Sequence, residues 1–590
     1  MHSSLQRLAI LLLVLPRHAK SYDVPPVDAY FRRMGHSIVV IGDYLYVQGG
    51  EISWDAGNGT AIGQFSDIYA NRVNKTLSLP IAESWNNATV QWIETDSVVS
   101  APSLRLPALW PQGDSFFTWG GSKRFGLPVE DSLLWQFTTD GAGGGNWTSS
   151  QPANMETFSS IRRTTAAARA SCRGVGLYLG GYAAPQTDVA FNDDTKAFPV
   201  PGLLTYDMET ATWSNKTSKP GLNNYGTSVY GAATCLEDYG NKGVFITIGG
   251  QMETDLSAYS DNGLTLFETS TLSLYDVDAD QWLKQKVSGE APEQRDRTCL
   301  STAHGQNGSL DIYMYGGIQK GGTDQVNKVF DDIWILSIPA FTWFKLNVTG
   351  TQRSWHDCVI IGSQLVSVGG LGAGVRFNES VQFNDRDEWR QGLGVLDLAS
   401  MTWADGFNAN STAYESPQVV KDWYRDNDFR NNNWTSDDVK QLFTNSAKST
   451  NSTNTTDPID AGTVASEADG QKISIGSIVG GVIGGVVALV AILGTGFWYM
   501  RRRKSKNSKA STAIDTPNEG KKEDPLRYWA ETHTQQWYYA ELNGRPGLFQ
   551  LPSEGSERPA ELGPHAEGHI PIERRRGISE LSGSSPEMKG

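Results

Sequence analysis

The 590-residue chain carries 65 acidic against 50 basic side chains, a formal net charge of −15, which argues against nucleic acid as a partner because phosphate binding needs a basic face. Its length exceeds what one simple hydrophobic core holds, so the chain is either several domains or one repeat architecture whose core grows by addition. With 62 glycines and 19 tryptophans, and with Val, Ile, Tyr, Phe and Thr clustered between turn residues, it reads as mostly β.

Residues 1–21 have the form of a signal peptide: a polar lead to Arg7, an apolar run from Leu8 to Leu15, then Pro16. Eight apolar residues are too few to span a bilayer, which favours a cleaved leader over an uncleaved anchor. Small Ala19 and Ser21 place the expected cleavage before Tyr22.

From there to residue 410 the chain repeats one device, an alternating apolar run that stops on two glycines. "DYLYVQGG" ends at Gly49 and Gly50, "SFFTWGG" at Gly120 and Gly121, "GLYLGG" at Gly180 and Gly181, "VFITIGG" at Gly249 and Gly250, "DIYMYGG" at Gly316 and Gly317, and "QLVSVGG" at Gly369 and Gly370. Successive doublets lie 71, 60, 69, 67 and 53 residues apart by subtraction, a period that suits propeller blades with unequal loops and not helical solenoids. Each doublet is followed by an apolar strand and then a tryptophan: Trp85, Trp147, Trp213, Trp282, Trp343 and Trp403. A further strand precedes most doublets, as in "HSIVVIG" and "HDCVIIG", which makes four strands per unit. Glycine pairs permit positive φ and close backbone approach at the crowded centre. Tyr206 and Trp213, or Tyr275 and Trp282, stand seven apart across a turn carrying Asp207 or Asp276, so that aromatic bulk fills the gap between twisted blades.

These units resemble kelch repeats, and the set is similar to the kelch ectodomains of single-pass fungal surface proteins of the galactose oxidase/kelch type. The resemblance covers roughly residues 30 to 410 and implies an all-β, six-bladed propeller, seven blades being the alternative, closed by pairing of terminal segments. "VDAYFRR" before His36 is the candidate for joining the last blade. Blade one departs from the pattern by a long insertion after Gly50, and blade two by the glycine run "DGAGGGNW".

Copper-radical oxidases share this type of propeller. Their site requires a cysteine-linked tyrosine, a second tyrosine and two histidines. Outside the leader and the tail only His36, His304 and His356 are present. His36 and His356 stand at the same phase of the repeat, which favours a recurring structural hydrogen bond over metal ligation. Cys172, Cys235, Cys299 and Cys358 all fall in the strand before a doublet. They are read as small buried residues, with one or two disulfides as the alternative. "SWDAGNGT", from Ser53, is an ordinary polar loop, and neither a phosphate loop, a G-x-S-x-G elbow nor an H-E-x-x-H is present. No catalytic, cofactor or metal residue is assigned.

After blade six, residues 411–445 mix aromatics with a capped helical pattern starting near Ser436, the form of a small extension packed on the propeller. Residues 446–472, biased to Ser, Thr and Asn, form a stalk. Ile473 to Met500 contains no charge and is followed by Arg501, Arg502, Arg503 and Lys504, so it reads as one transmembrane helix with the large N-terminal part outside. Twelve Asn-X-Ser/Thr sites precede it, at Asn58, Asn74, Asn87, Asn146, Asn215, Asn307, Asn347, Asn378, Asn410, Asn433, Asn451 and Asn454, each a candidate N-glycosylation site. Gly476, Gly480 and Gly484, with Gly481 and Gly485, would let two such helices pair as a homodimer. The tail, 501–590, reads as disordered, with two aromatic or aliphatic segments that suit a cytoplasmic adaptor. The expected function is a protein- or glycan-binding module at the plasma membrane. The alternatives are a galactose-oxidase-like copper oxidase and a cell-wall sensor signalling through its tail.

Overall fold

The computed structural model describes residues 24–445, except 56, 58–60, 63–73, 98–102, 124–132, 192–195, 220, 253–264, 307, 320–326 and 373–384. The leader, stalk, 473–500 segment and tail lie outside the described residues, as do Asn58, Asn307, Asn378, Asn451 and Asn454. No helix among the described residues is long and apolar enough to cross a membrane.

Six antiparallel sheets each contribute one blade, so the ring has six blades and not seven. Blade one is Tyr30–Ile41, Tyr44–Asp55, Lys75–Pro80 and Ile93–Asp96; blade two is Ala108–Gln112, Ser115–Trp119, Leu134–Thr139 and Gly145–Ser150. Blade three comprises Ala168–Cys172, Val175–Leu179, Leu203–Asp207 and Thr212–Lys216, and blade four Ala232–Leu236, Val244–Ile248, Thr271–Asp276 and Gln281–Lys286. Blade five runs Cys299–His304, Leu310–Tyr315, Asp332–Ile338 and Thr342–Thr349; blade six runs Asp357–Ile361, Gln364–Val368, Leu393–Asp397 and Thr402–Ala404. The first strands neighbour one another in cyclic order, the sixth beside the first.

Burial explains the strand patterns. Each second strand lies between two neighbouring blades, and Ser115–Trp119, Val175–Leu179 and Val244–Ile248 are buried at every position, hence their near-continuous apolar runs. The outer strands alternate, as in Gln281–Lys286, because one face meets water.

Aromatic rings wedge the blades apart. Trp213 of blade three packs on Trp119 of blade two at 5.0 Å and on its own cross-strand partner Tyr206 at 5.0 Å. Trp147 donates Nε1–H to Thr76 of blade one (2.9 Å), Trp343 to the Thr269 carbonyl of blade four (3.0 Å) and Trp403 to the Thr349 carbonyl of blade five (3.1 Å). Trp282 pairs with Tyr275 at 5.1 Å, and both join an apolar cluster with Val175, Leu177 and Leu203 of blade three. Trp85 differs from its expected place. Blade one's fourth strand starts at Ile93, after Trp92, whereas Trp85–Asn86 pairs with Gly406–Phe407 beyond blade six and Trp85 stacks on Phe407 at 5.6 Å. The gap between blades six and one is filled chiefly by Leu45, Val47, Leu77, Leu79, Val366 and Val395, with Trp85 and Trp92 only partly buried against them.

The "VDAYFRR" segment also departs from expectation. It starts blade one's own inner strand, and blade six is completed by its own four strands. Among the described residues it meets blade six through side chains and single backbone bonds, notably Gly370 N–H to the Arg33 carbonyl (2.6 Å) and Asp387 N–H to the Phe31 carbonyl (3.0 Å).

The cysteines overturn the expectation of free buried thiols. Cys172–Cys235 joins blades three and four, and Cys299–Cys358 joins blades five and six. Matching positions of adjacent inner strands converge around the narrow axis, with Cα atoms 5.4 and 5.7 Å apart, inside the range a bridge requires. Cross-links closing 63- and 59-residue separations stabilise by about 4 kcal/mol each in the chain-entropy picture.

Beyond blade six, Tyr414, Val420, Trp423 and Tyr424 pack on the blade-five cluster, and Val439 and Phe443 on that of blades four and five. The helix Gln418–Asp426 and the helix Asp437–Asn445 carry most of these contacts. Ser436 caps the second, its Oγ accepting from Val439 N–H at 3.3 Å. Asp311, buried at the start of blade five's second strand, accepts from Ser337 (2.7 Å), Tyr414 (2.8 Å) and Ser416 (2.5 Å). That carboxyl ties the extension to the ring.

Candidate functional site: the glycine end of the ring

The connections from second to third strands, and those from each blade to the next, emerge at the end of the ring where the glycine doublets lie. At the opposite end first and second strands join through tight turns such as Gly42–Asp43 and Gly113–Asp114. The strand ends from which these connections leave therefore share one face, the arrangement in which binding residues sit on loops held by a rigid scaffold.

The scaffold beneath is a collar of six left-handed residues. Leu106, Ala166, Tyr230, Arg297 and Trp355 stand just before the inner strands of blades two to six, and Gly35 holds the matching place within Tyr30–Ile41, all with φ between 53° and 63°. Leu106 N–H donates to Gly35 O (2.6 Å), Tyr230 to Ala166 (2.7 Å), Arg297 to Tyr230 (3.0 Å), Trp355 to Arg297 (3.4 Å) and Gly35 to Trp355 (3.3 Å). These bonds offset backbone conformations that cost a non-glycine residue about 1–3 kcal/mol each.

Two residues before each collar position, a carbonyl receives the preceding blade's second glycine. Gly50 donates to Leu104, Gly121 to Thr164, Gly181 to Ser228, Gly250 to Arg295, Gly317 to Arg353 and Gly370 to Arg33, all between 2.6 and 2.9 Å. A Cβ on Gly316 would lie 2.3 Å from the Arg353 carbonyl, so the doublet is the space in which the next blade seats. The arginine side chains at this level turn back to their own blades: Arg33 bonds Gly49 O (2.8 Å), Arg295 bonds Gly316 O (3.1 Å) and Arg353 bonds Gly369 O (2.6 Å). Arg353 also grips Asp387 through two bonds of 2.9 and 2.7 Å, which holds its pKa above the ordinary range despite complete burial. Arg33 has no such carboxylate, and burial pushes it down to about 10.

At the centre of the collar the Arg297 guanidinium lies 3.5 Å from the Tyr230 ring centroid and 4.7 Å from that of Trp355, and pairs with Asp296 at 2.5 Å. Tyr182 reaches Tyr230, hydroxyl to hydroxyl, at 3.3 Å. Met34, Val229 and Leu371 form the apolar bed of this cluster. Below it are cavities of about 120 and 240 Å³, both lined by Arg169 of blade three and Asp357 of blade six. Arg169 donates to Ser37 (2.9 Å), and Asp357 accepts from the Ile38 and Cys358 amides. Burial raises the Asp357 pKa, with Arg169 opposing.

His36 and His356 share a repeat phase and are buried. Each ring packs on the preceding blade's first glycine, His36 on Gly369 and His356 on Gly316. The expected hydrogen bond is not made in normal geometry, although the rings lie beside the Val368 and Tyr315 carbonyls. Their role is to fill the inter-blade gap. His304 is far more exposed and pairs with Asp238 at 3.2 Å. A copper-radical set does not fit these residues. All four cysteines are in disulfides, so none remains to link to a tyrosine, and the described residues contain no group of three His, Cys, Asp or Glu side chains able to hold a metal.

The six doublets all occupy the collar end, and five of the six tryptophans occupy inter-blade gaps, whereas Trp85 sits at the ring's seam. Among the described sequons, Asn146, Asn215, Asn347, Asn410 and Asn433 are exposed and Asn74 is half-buried. Asn87 is 2% exposed, and its Nδ2 donates to the Leu393 carbonyl at 2.9 Å. The doublets did not point to the arginines and the collar. A signal existed: "RRMGHS" and "QRSWHD" place an arginine three residues before each of the two phase-matched histidines, and "RDRTC" repeats it with threonine.

Comparison with known proteins agrees with this architecture. A family model described as the KLHDC2/KLHL20/DRC7 Kelch-repeats domain matches residues 231–406. A kelch repeat-containing protein of Arthroderma benhamiae is 24% identical over 471 residues, 69% of this chain and 63% of that one. Host cell factor of Drosophila melanogaster is 33% identical over 129 residues, 21% of this chain and 8% of its own. Human kelch domain-containing protein 3 is 24% identical over 349 residues, 58% and 78% of the two chains. The chain thus spans less than two thirds of the first two relatives.

Proposed function

Because the chain belongs to the kelch-repeat β-propeller family, whose propellers are usually protein-binding modules, we propose that its ring binds a protein or a cell-wall glycan outside the plasma membrane. The carrying observation is that the second-to-third connection of every blade leaves from the collar end of a rigid six-bladed disc. Two interblade disulfides support an oxidising compartment, in keeping with the leader and the apolar 473–500 segment. The collar's aromatic and guanidinium groups are buried against one another, so they stiffen the platform on which the connections sit.

Phe191 and Phe198 pair at 5.8 Å in blade three's second-to-third connection and offer an apolar contact on this face. Purified full-length protein titrated against surface proteins and wall glycans tests the reading. Saturable binding that weakens roughly tenfold in Phe191→Ala/Phe198→Ala is expected. No saturable binding to either class contradicts it.

A further inference from the structure

Every propeller blade ends in an edge strand whose outward N–H and C=O groups are a template for another chain. The six edges here are managed in different ways. In blade one the edge is the short, acidic Ile93–Asp96, and in blade six it is only Thr402–Ala404. Blade four's edge is covered by the extension: Lys286 N–H donates to Thr435 Oγ1 (3.0 Å) and Gln285 Nε2 to the Asn433 carbonyl (3.1 Å).

Blades two, three and five remain. In blade three the Asn154 side chain caps both the N–H and the C=O of Trp213, leaving open the end that carries Asn215. In blade five Ser288 meets the start of the strand, accepting from Trp343 N–H at 2.9 Å, and the open half carries Asn347. Blade two's edge, Gly145–Ser150, carries Asn146. All three asparagines are exposed and open an Asn-X-Thr sequon. No other blade edge carries one.

We propose that N-glycans on Asn146, Asn215 and Asn347 shield the open stretches of these three blade edges from pairing with a second copy of the chain, and that buried Asn87 stays unmodified. A branched glycan on an edge strand holds an incoming strand beyond backbone hydrogen-bonding distance. The inference rests on the extracellular reading above.

The test uses full-length protein from a eukaryotic secretory host. Enzymatic deglycosylation in heavy-oxygen water, followed by peptide mass spectrometry, reads occupancy. Sedimentation then compares the native protein, the folded protein trimmed with an endoglycosidase, and the Thr148→Ala/Thr217→Ala/Thr349→Ala variant, with Asn410→Gln/Asn433→Gln as control. Occupancy at the three edge sites and not at Asn87 is expected. Trimmed protein and the threonine variant should self-associate roughly tenfold more than the control. If no sequon is modified, the extracellular reading fails together with this inference. If the three are modified but trimmed protein sediments like native, the shielding role alone is overturned, and a glycan on Asn87 overturns the burial argument.

Discussion

The Gly370 amide donates to the Arg33 carbonyl at 2.6 Å, joining the last blade to the first by the same bond that joins every other neighbouring pair. Ring closure is therefore the sixth repetition of the interblade contact. The seam adds the two-residue pairing of Trp85–Asn86 with Gly406–Phe407.

Substitution at the seam tests that equivalence. Gly369 has φ +61°, and a Cβ there would lie 2.5 Å from the Arg33 carbonyl, whereas Gly113, φ +59°, has nothing within 4 Å. Both alanine variants bear the left-handed penalty of about 1 kcal/mol. Gly369→Ala should lose about 3 kcal/mol or more in denaturant unfolding, because backbone must move. Equal losses would show that the doublet does not seat the next blade.

Arg353 is fully buried against Asp387. Arg353→Met removes both hydrogen bonds to that carboxylate and leaves it only the longer Arg32 contact at 3.4 Å, which should cost about 3 kcal/mol. The double variant Arg353→Met/Asp387→Leu should recover much of the loss, since replacing both members of a buried pair is often near neutral. A double variant no more stable than the single one would contradict the pairing.

Burial, helped by the Arg353 charge, holds His356 at about 3, and burial, with Arg33, His356 and Arg169 nearby, holds His36 well below the usual value. An unfolded histidine titrates near 6.5, so in acid the unfolded chain takes up protons that the folded one refuses. Stability from these groups is complete above about pH 6.5 and falls as pH drops toward the folded values. Denaturant midpoints between about pH 4 and pH 7 should rise with pH, with a shallower slope in His356→Asn. An unchanged slope would mean that His356 is not held neutral by the fold.

Trp213→Ala should cost about 3–5 kcal/mol, because its ring fills the gap between blades two and three. Trp85 is only partly buried on Phe407, so Trp85→Ala should cost about half as much or less. Comparable losses would restore Trp85 to a wedge role.

That contrast shows where the sequence was legible. The doublets and the second-strand runs record local requirements, positive φ and burial on both faces, and they specified six four-stranded blades. Trp85 and Trp92 both suit a turn-to-strand position, and the choice between them is made by Phe407, remote in sequence. Cysteine pairing likewise depended on how closely inner strands converge at the axis, which no spacing records. The collar was missed because its left-handed residues are of five other types besides glycine.

The most direct test of the closed six-bladed disc is disulfide mapping of the chain purified from a eukaryotic host, digested without reduction. The account predicts Cys172–Cys235 and Cys299–Cys358 as the linked peptides, since only adjacent blades bring these positions within reach. Linkage of Cys172 to Cys299 or Cys358, or four free thiols, would contradict it.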